Sequence, residues 1–147
     1  MSSENKNSFS KEKLISPSSS FVMEKHLEDY IFRNWKSTIF GVNYNIYENG
    51  RQFQTDTGPL DILALRNDKK EFLVLELKRD KASDIVVGQT LRNMGYVKNS
   101  IATNNENVKG CIIATEEDQG LKNALSVTPD IEFYKYQVNF SLNKITK

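Results

Sequence analysis

Two apolar runs separated by a polar turn, "LDILAL" (60–65) and "FLVLEL" (72–77), constrain the fold of this chain more than any other stretch. Both are apolar on both faces, the pattern of strands in the middle of a sheet rather than at its edge. Yet Asp61 and Glu76 interrupt them, and Lys78 follows directly. A buried charge is costly unless it is paired or holds a metal. Counting locates these charges. With Asp68-Lys69 as a two-residue turn, residues whose numbers sum to 137 face each other: Leu65 with Phe72, Leu63 with Val74, and Asp61 with Glu76. Opposed residues of an antiparallel pair have Cβ atoms roughly 4.5–5.5 Å apart on one face. Period two puts Lys78 on the same side as Glu76. A loop longer by one residue breaks this register. If it holds, two carboxylates and an ammonium converge at one end of a buried hairpin.

Hard oxygen ligands of this kind suit Mg2+ or Mn2+. A lysine beside them can orient or deprotonate a water, or stabilise charge developing on a phosphoryl group. The chemistry implied is metal-assisted hydrolysis of a phosphodiester. An aspartate followed by Glu-x-Lys also arises by chance, and Glu76 with Lys78 would equally serve as an edge-strand ion pair that blocks sheet association.

The rest of the chain supplies the frame. Residues 1–20 are polar and Ser-rich and read as a disordered or loosely attached tail, leaving 21–147 as one domain. A helix is predicted through "SFVMEKHLEDYIFRNW", capped by Ser20, with Glu24, Leu27, Glu28, Ile31 and Trp35 along one face. "VNYNIYENGRQFQTDTG" predicts a type I′ hairpin at Asn49-Gly50, with Glu48 opposite Arg51 and Ile46 opposite Phe53. Strands are expected at roughly 60–66 and 71–78. Ser83 opens a helix with core spacing at Val87, Leu91, Met94, Val97 and Ile101. "VKGCIIAT" reads as a buried strand, "EEDQGLKNALSV" as a helix, and 131–142 as a closing strand alternating Tyr134, Tyr136, Val138, Phe140 and Leu142. The order is helix, three or four antiparallel strands, helix, strand, helix, strand: a mixed α/β domain with helices on a central sheet.

Several functional classes drop out. A net charge of +1 favours no polyanionic partner overall, although a local basic patch is compatible with it. The single cysteine, Cys111, excludes an intramolecular disulfide and a multi-cysteine zinc site, and its apolar surroundings read as core. His26 has no histidine or cysteine neighbour in sequence and reads as a helix-surface residue. No apolar stretch approaches a membrane span or signal-peptide core, so a cytoplasmic location is expected.

Beyond spacing, the residues resemble a family. An aspartate on one strand and Glu-x-Lys on the next, here Asp61 and "ELK" (76–78), is the signature of the PD-(D/E)XK nuclease superfamily. More narrowly, "MEKHLEDYIFRNW", "GRQFQTDTGPLDILAL", "FLVLELKRDKASDIVVGQTLRNMGYV" and "GCIIATEED" resemble, in that order, the C-terminal catalytic domain of NucS/EndoMS-type endonucleases. The resemblance implies a restriction-endonuclease-like core, α-β-β-β-α-β, continued by a helix and strand. It implies Asp61 and Glu76 as ligands of Mg2+ (or Mn2+), Lys78 as the water-activating or charge-stabilising residue, and Gln89 bordering the site. Glu28 corresponds to a carboxylate that completes the metal site, with Glu24 one turn earlier as its competitor. Arg51, Gln54, Arg79, Lys81 and Arg92 are candidate nucleic-acid contacts, and Gln52 lies beside them.

The implied function is a metal-dependent DNA endonuclease acting on duplex or branched DNA, with a homodimer needed to cut both strands. Two alternatives stand: a silent nucleic-acid-binding or protein-interaction module, and an RNA- or structure-specific nuclease. Repair, restriction and mobile-element roles are equally open. The departures are Asn93 in place of an aromatic and "TGPLD" in place of a glycine- and arginine-containing approach to the aspartate. Such enzymes also carry an N-terminal DNA-binding and dimerisation domain where the present sequence has its polar segment, so mismatch recognition is not carried over.

Overall fold

The computed structural model describes residues 17–137 and 141–146. Helix α1, Pro17–Arg33, precedes a short 3-10 turn, Trp35–Ser37. Strands β1 (Tyr44–Thr55), β2 (Gly58–Arg66) and β3 (Glu71–Leu77) follow. Next come β4 (Lys81–Ala82) and helix α2 (Asp84–Tyr96), which runs into a π-turn at Val97–Ile101. The chain closes through β5 (Asn107–Ala114), β6 (Glu116–Glu117), α3 (Gln119–Leu125) and β7 (Ile131–Lys135). The main sheet has the order β1-β2-β3-β5-β7, and β4 with β6 forms a separate two-stranded ribbon. Strands β1, β2 and β3 are antiparallel, whereas β5 and β7 add in parallel, so the sheet is mixed.

From Ile62 to Leu65 the hairpin register is the one obtained by counting, and the paired residues stop just short of Asp61 and Glu76. Leu65 faces Phe72 and Leu63 faces Val74. Lys69 takes the left-handed turn position, φ 64°, and its N–H donates to Arg66 O. Every residue of β3 is buried, as befits the middle strand of five. Its odd-numbered leucines pack with Ile31 and Trp35 on the α1 side. Phe72 and Val74 pack with Val86, Val87, Met94 and Leu121 on the α2 and α3 side. One layer of helix therefore covers each face. Ser83 caps α2 through the Ile85 N–H, as its sequence predicts.

Four expectations are corrected. Ser20 lies within α1, Pro17–Arg33, rather than at its start. The Asn49-Gly50 pair does not turn a hairpin. Strand β1 runs straight through it, pairing Tyr44–Ile46 with 64–66 and Arg51–Thr55 with 58–62 of β2. Residues 47–50 form a bulge instead, so Glu48–Arg51 and Ile46–Phe53 are not cross-strand pairs. Pairing with β2 along both halves of β1 outweighs a local turn that would have used them on each other. Asn49 keeps its left-handed backbone, φ 53°. Gly50 is needed for room, since a Cβ there would lie 2.4 Å from Leu63 O.

The other two concern the later elements. Leu91 points outward, at 44% exposure, leaving Val86, Val87, Thr90, Asn93 and Met94 as the buried face of α2. The closing strand ends at Lys135, level with the end of its partner β5 at Ala114, and the next residue, Tyr136, still donates its N–H to Ala114 O. Leu142 is fully in solvent, and Val138 and Phe140 lie outside the described residues, as does the polar segment 1–16.

Candidate active site

Asp61 stands one residue before the paired Ile62 of β2, Glu76 is the penultimate residue of β3, and Lys78 follows that strand directly. The strand order brings all three to one end of the sheet. Asp61 Oδ2 accepts from the Leu77 N–H at 2.7 Å, which ties the aspartate across to β3. Its Oδ1 accepts from Gln52 Nε2 at 3.2 Å. Glu76 is 6% exposed, and its Oε2 accepts from Asn93 Nδ2 of α2 at 2.7 Å. Lys78 is half-buried, anchored by its N–H to Ile113 O. Its ammonium acts on both Asp61 and Glu76 electrostatically, without an ion pair to either.

Burial raises the Asp61 carboxyl above the ordinary range, and the charge of Glu28 adds to this. The Leu77 N–H, Gln52 and Lys78 pull it partly back. Burial also drives Glu76 from 4.5 to about 7, reinforced by the Asp61 charge and opposed by Asn93, Lys78 and Arg92. Both carboxylates are thus held against their preference for ionisation, in a site short of positive charge.

The carboxylates on α1 divide. Glu24 accepts from the Arg79 N–H at 2.9 Å and so braces the chain just after Lys78. Glu28, 2% exposed, accepts from Arg51 Nε at 2.6 Å and from Gln52 Nε2. Through Gln52 it is joined to Asp61. Glu24, Glu28, Gln52, Asp61 and Leu77, with Lys25, line a cleft of ≈ 140 Å³. Gln89 sits one turn before Asn93 on α2, hence on the same helix face, and is half-buried.

The basic candidates differ in their surroundings. Arg51 pairs with Glu28 and Asp29 and lies over the Phe32 ring. Arg79 is 7% exposed, with Nη1 on Asp80 at 2.9 Å. Gln54, Lys81 and Arg92 are exposed. His26 is exposed and Cys111 is buried in the core, where burial pushes its thiol well up.

Two site residues carry roles that spacing did not give them. Asn93 is a polar side chain within the apolar face of α2, and a buried amide must have a partner; that was a readable signal. Gln52 bridges two carboxylates only because of the β1 bulge, which nothing local announces. As a donor set for a hard cation, Asp61 and Glu76 fit by their ligand type and their uncompensated charge. Both oxygens of Glu28 are already engaged. Among the described residues no three histidine, cysteine or acidic side chains stand close enough together to hold a metal.

A helix leading into three antiparallel strands, then a helix and a parallel strand, with Asp at one strand and Glu-x-Lys at the next, resembles the PD-(D/E)XK nuclease core. The chain belongs to the family of the endonuclease NucS C-terminal domain, whose profile matches residues 23–139. Among solved structures it is similar to a repair endonuclease from Pyrococcus abyssi, with 27% identity and TM-score 0.63 over 78% of this chain and 46% of that one. It shares the fold of EndoMS in complex with double-stranded DNA, at 23% identity and TM-score 0.64, covering 80% of this chain and 46% of that one. Apo EndoMS matches at 21% identity and TM-score 0.55, over 80% and 47%. The sequence thus spans about half the length of the structures it matches. No curated protein matches it.

Proposed function

We propose that this chain is a metal-dependent DNA endonuclease that hydrolyses phosphodiester bonds at the Asp61, Glu76 and Lys78 site. The observation that carries the reading is the pair of carboxylates buried at one end of the sheet with raised pKa values and no full countercharge. Family membership supports it, and so does the likeness to a DNA-bound fold relative. Mg2+ or Mn2+ bound by Asp61 and Glu76 would supply Lewis acidity toward the phosphodiester and a lowered pKa for an attacking water.

This chain's own groups do the remainder. Asp61, fixed by the Leu77 N–H, and Glu76, fixed by Asn93, present oxygens in a set geometry. Lys78 offsets negative charge that builds on the phosphoryl oxygens. Gln89 orients the phosphate or the water. The water oxygen bonds to phosphorus, the bond to the 3′ oxygen breaks, and that oxygen takes a proton, leaving a 5′-phosphate and a 3′-hydroxyl. Lys81 and Arg92, both exposed, would follow the phosphate backbone. Cutting both strands requires two copies, and the reading includes a homodimer and a role in DNA repair.

One observation favours a second reading, a module that binds without cleaving: Glu28 is neutralised by Arg51, and among the described residues no three-carboxylate cluster stands ready. Plasmid incubated with Mg2+ or Mn2+ separates the two. The nuclease reading predicts nicking or linearisation by the wild type and a loss of about 100-fold or more in Lys78→Ala, the scale of a lost charge-stabilising group. Equal, negligible cleavage by both proteins would sink it. Parallel RNA, flap and single-stranded substrates define the substrate class.

A further inference from the structure

Arg51 and Gln52 are consecutive in β1, yet both side chains reach the same carboxylate, Glu28. In a regular strand neighbours point to opposite faces. The backbone explains the exception. Gln52 has φ 51°, a left-handed conformation that a residue with a long side chain seldom adopts. It follows the bulge at 47–50, where Asn49 is also left-handed and Gly50 fits only because it lacks a Cβ. Strain of this kind persists where the surroundings impose it, and an observed outlier is a reason to look for function. Here the result is specific. The two N–H bonds of one amide are shared between Glu28 Oε1 on α1 and Asp61 Oδ1 on β2.

We infer that Gln52 is a positioning residue: the bulge of β1 turns its carboxamide into a clamp that fixes Asp61 against Glu28 in the orientation the site needs. The inference rests on the nuclease reading above. It assigns the bulge a purpose beyond pairing with β2. It also explains why Arg51 faces inward. Arg51 neutralises Glu28, so that Gln52 can donate to Glu28 and Asp61 together without two bare carboxylates meeting.

Two variants test this. Gln52→Asn keeps a residue that tolerates left-handed backbone but is one methylene too short to span both carboxylates. Gln52→Leu keeps the bulk and removes the amide. Cleavage kinetics, direct Mn2+ titration and urea unfolding are measured on each, with wild type alongside. The expected result is a fall in kcat of about tenfold or more in both variants, the scale of one hydrogen bond to a charged group, with KM changed by less than about twofold. Mn2+ affinity should weaken by a similar factor. Wild-type kcat and Mn2+ affinity in both variants would overturn the inference while leaving the nuclease reading intact. A loss of kcat that merely tracks the unfolded fraction in urea would also overturn it, assigning Gln52 to folding alone. A wild type that neither cuts DNA nor binds Mn2+ removes the nuclease reading and this inference with it.

Discussion

Strand β3 carries two equally buried glutamates, Glu71 and Glu76, each 6% exposed, one near either end. Their surroundings differ in kind. Glu71 accepts from the Tyr44 hydroxyl and forms an ion pair with Arg66 Nη1 at 3.2 Å. Glu76 has a neutral amide, Asn93, as its hydrogen-bond donor, with a second carboxylate, Asp61, acting against its ionisation. At the turn end of the hairpin the fold completes its charge within itself. At the other end it leaves two acids short of a cation. A buried acid with a countercharge contributes to structure, whereas one placed beside another acid is poised to bind something positive.

Exchanging each glutamate for glutamine breaks this comparison most sharply. Glu76→Gln should abolish cleavage by about 100-fold or more, with stability at neutral pH kept or raised because a disfavoured charge is removed. Glu71→Gln should leave kcat nearly unchanged and lower unfolding stability by about 1–3 kcal/mol, as Arg66 and Tyr44 lose a charged acceptor. Cleavage assays and urea unfolding on both proteins check the crossing pattern. Comparable activity in the two variants would erase the distinction. A smaller effect belongs to Asn93→Leu, which removes the amide from Glu76 at similar volume. Cleavage should fall about tenfold, the value of one charge-assisted hydrogen bond, and a time course at saturating DNA measures it.

Much of the fold could be read from local rules, and much of the site could not. The pairings Leu65–Phe72 and Leu63–Val74 followed from a turn and period two, and the Ile31 and Trp35 face of α1 from period 3.6. Ser83 capped its helix as short-range chemistry dictates. The failures are non-local. Asn49-Gly50 has the composition of a hairpin turn, but β2 offers β1 a longer partner. The alternation through Tyr136 reads on as a strand, but β7 ends at Lys135, level with the end of its partner β5 at Ala114. For the site, Asp61, Glu76 and Lys78 were placed together by counting, while the link from Glu28 through Gln52 depends on a bulge whose geometry only the assembled sheet imposes. Asn93 stood in plain view as a polar residue on an apolar helix face.

The proposed cation site of Asp61 and Glu76 has a signature in the protein's pH-dependent stability. Unfolding stability measured from pH 4.5 to 8, with and without Mn2+, tests it most directly. Burial makes Glu76 hold its proton more tightly folded than unfolded, so its contribution to stability falls as pH rises through this window. The shift from 4.5 to about 7 corresponds to a loss of about 3 kcal/mol, complete above the folded value. That decline is expected in metal-free protein, with its reversal near pH 7–8 on adding Mn2+ and a flatter, Mn2+-insensitive profile in Glu76→Gln. Identical profiles for wild type and Glu76→Gln, unmoved by Mn2+, would contradict it.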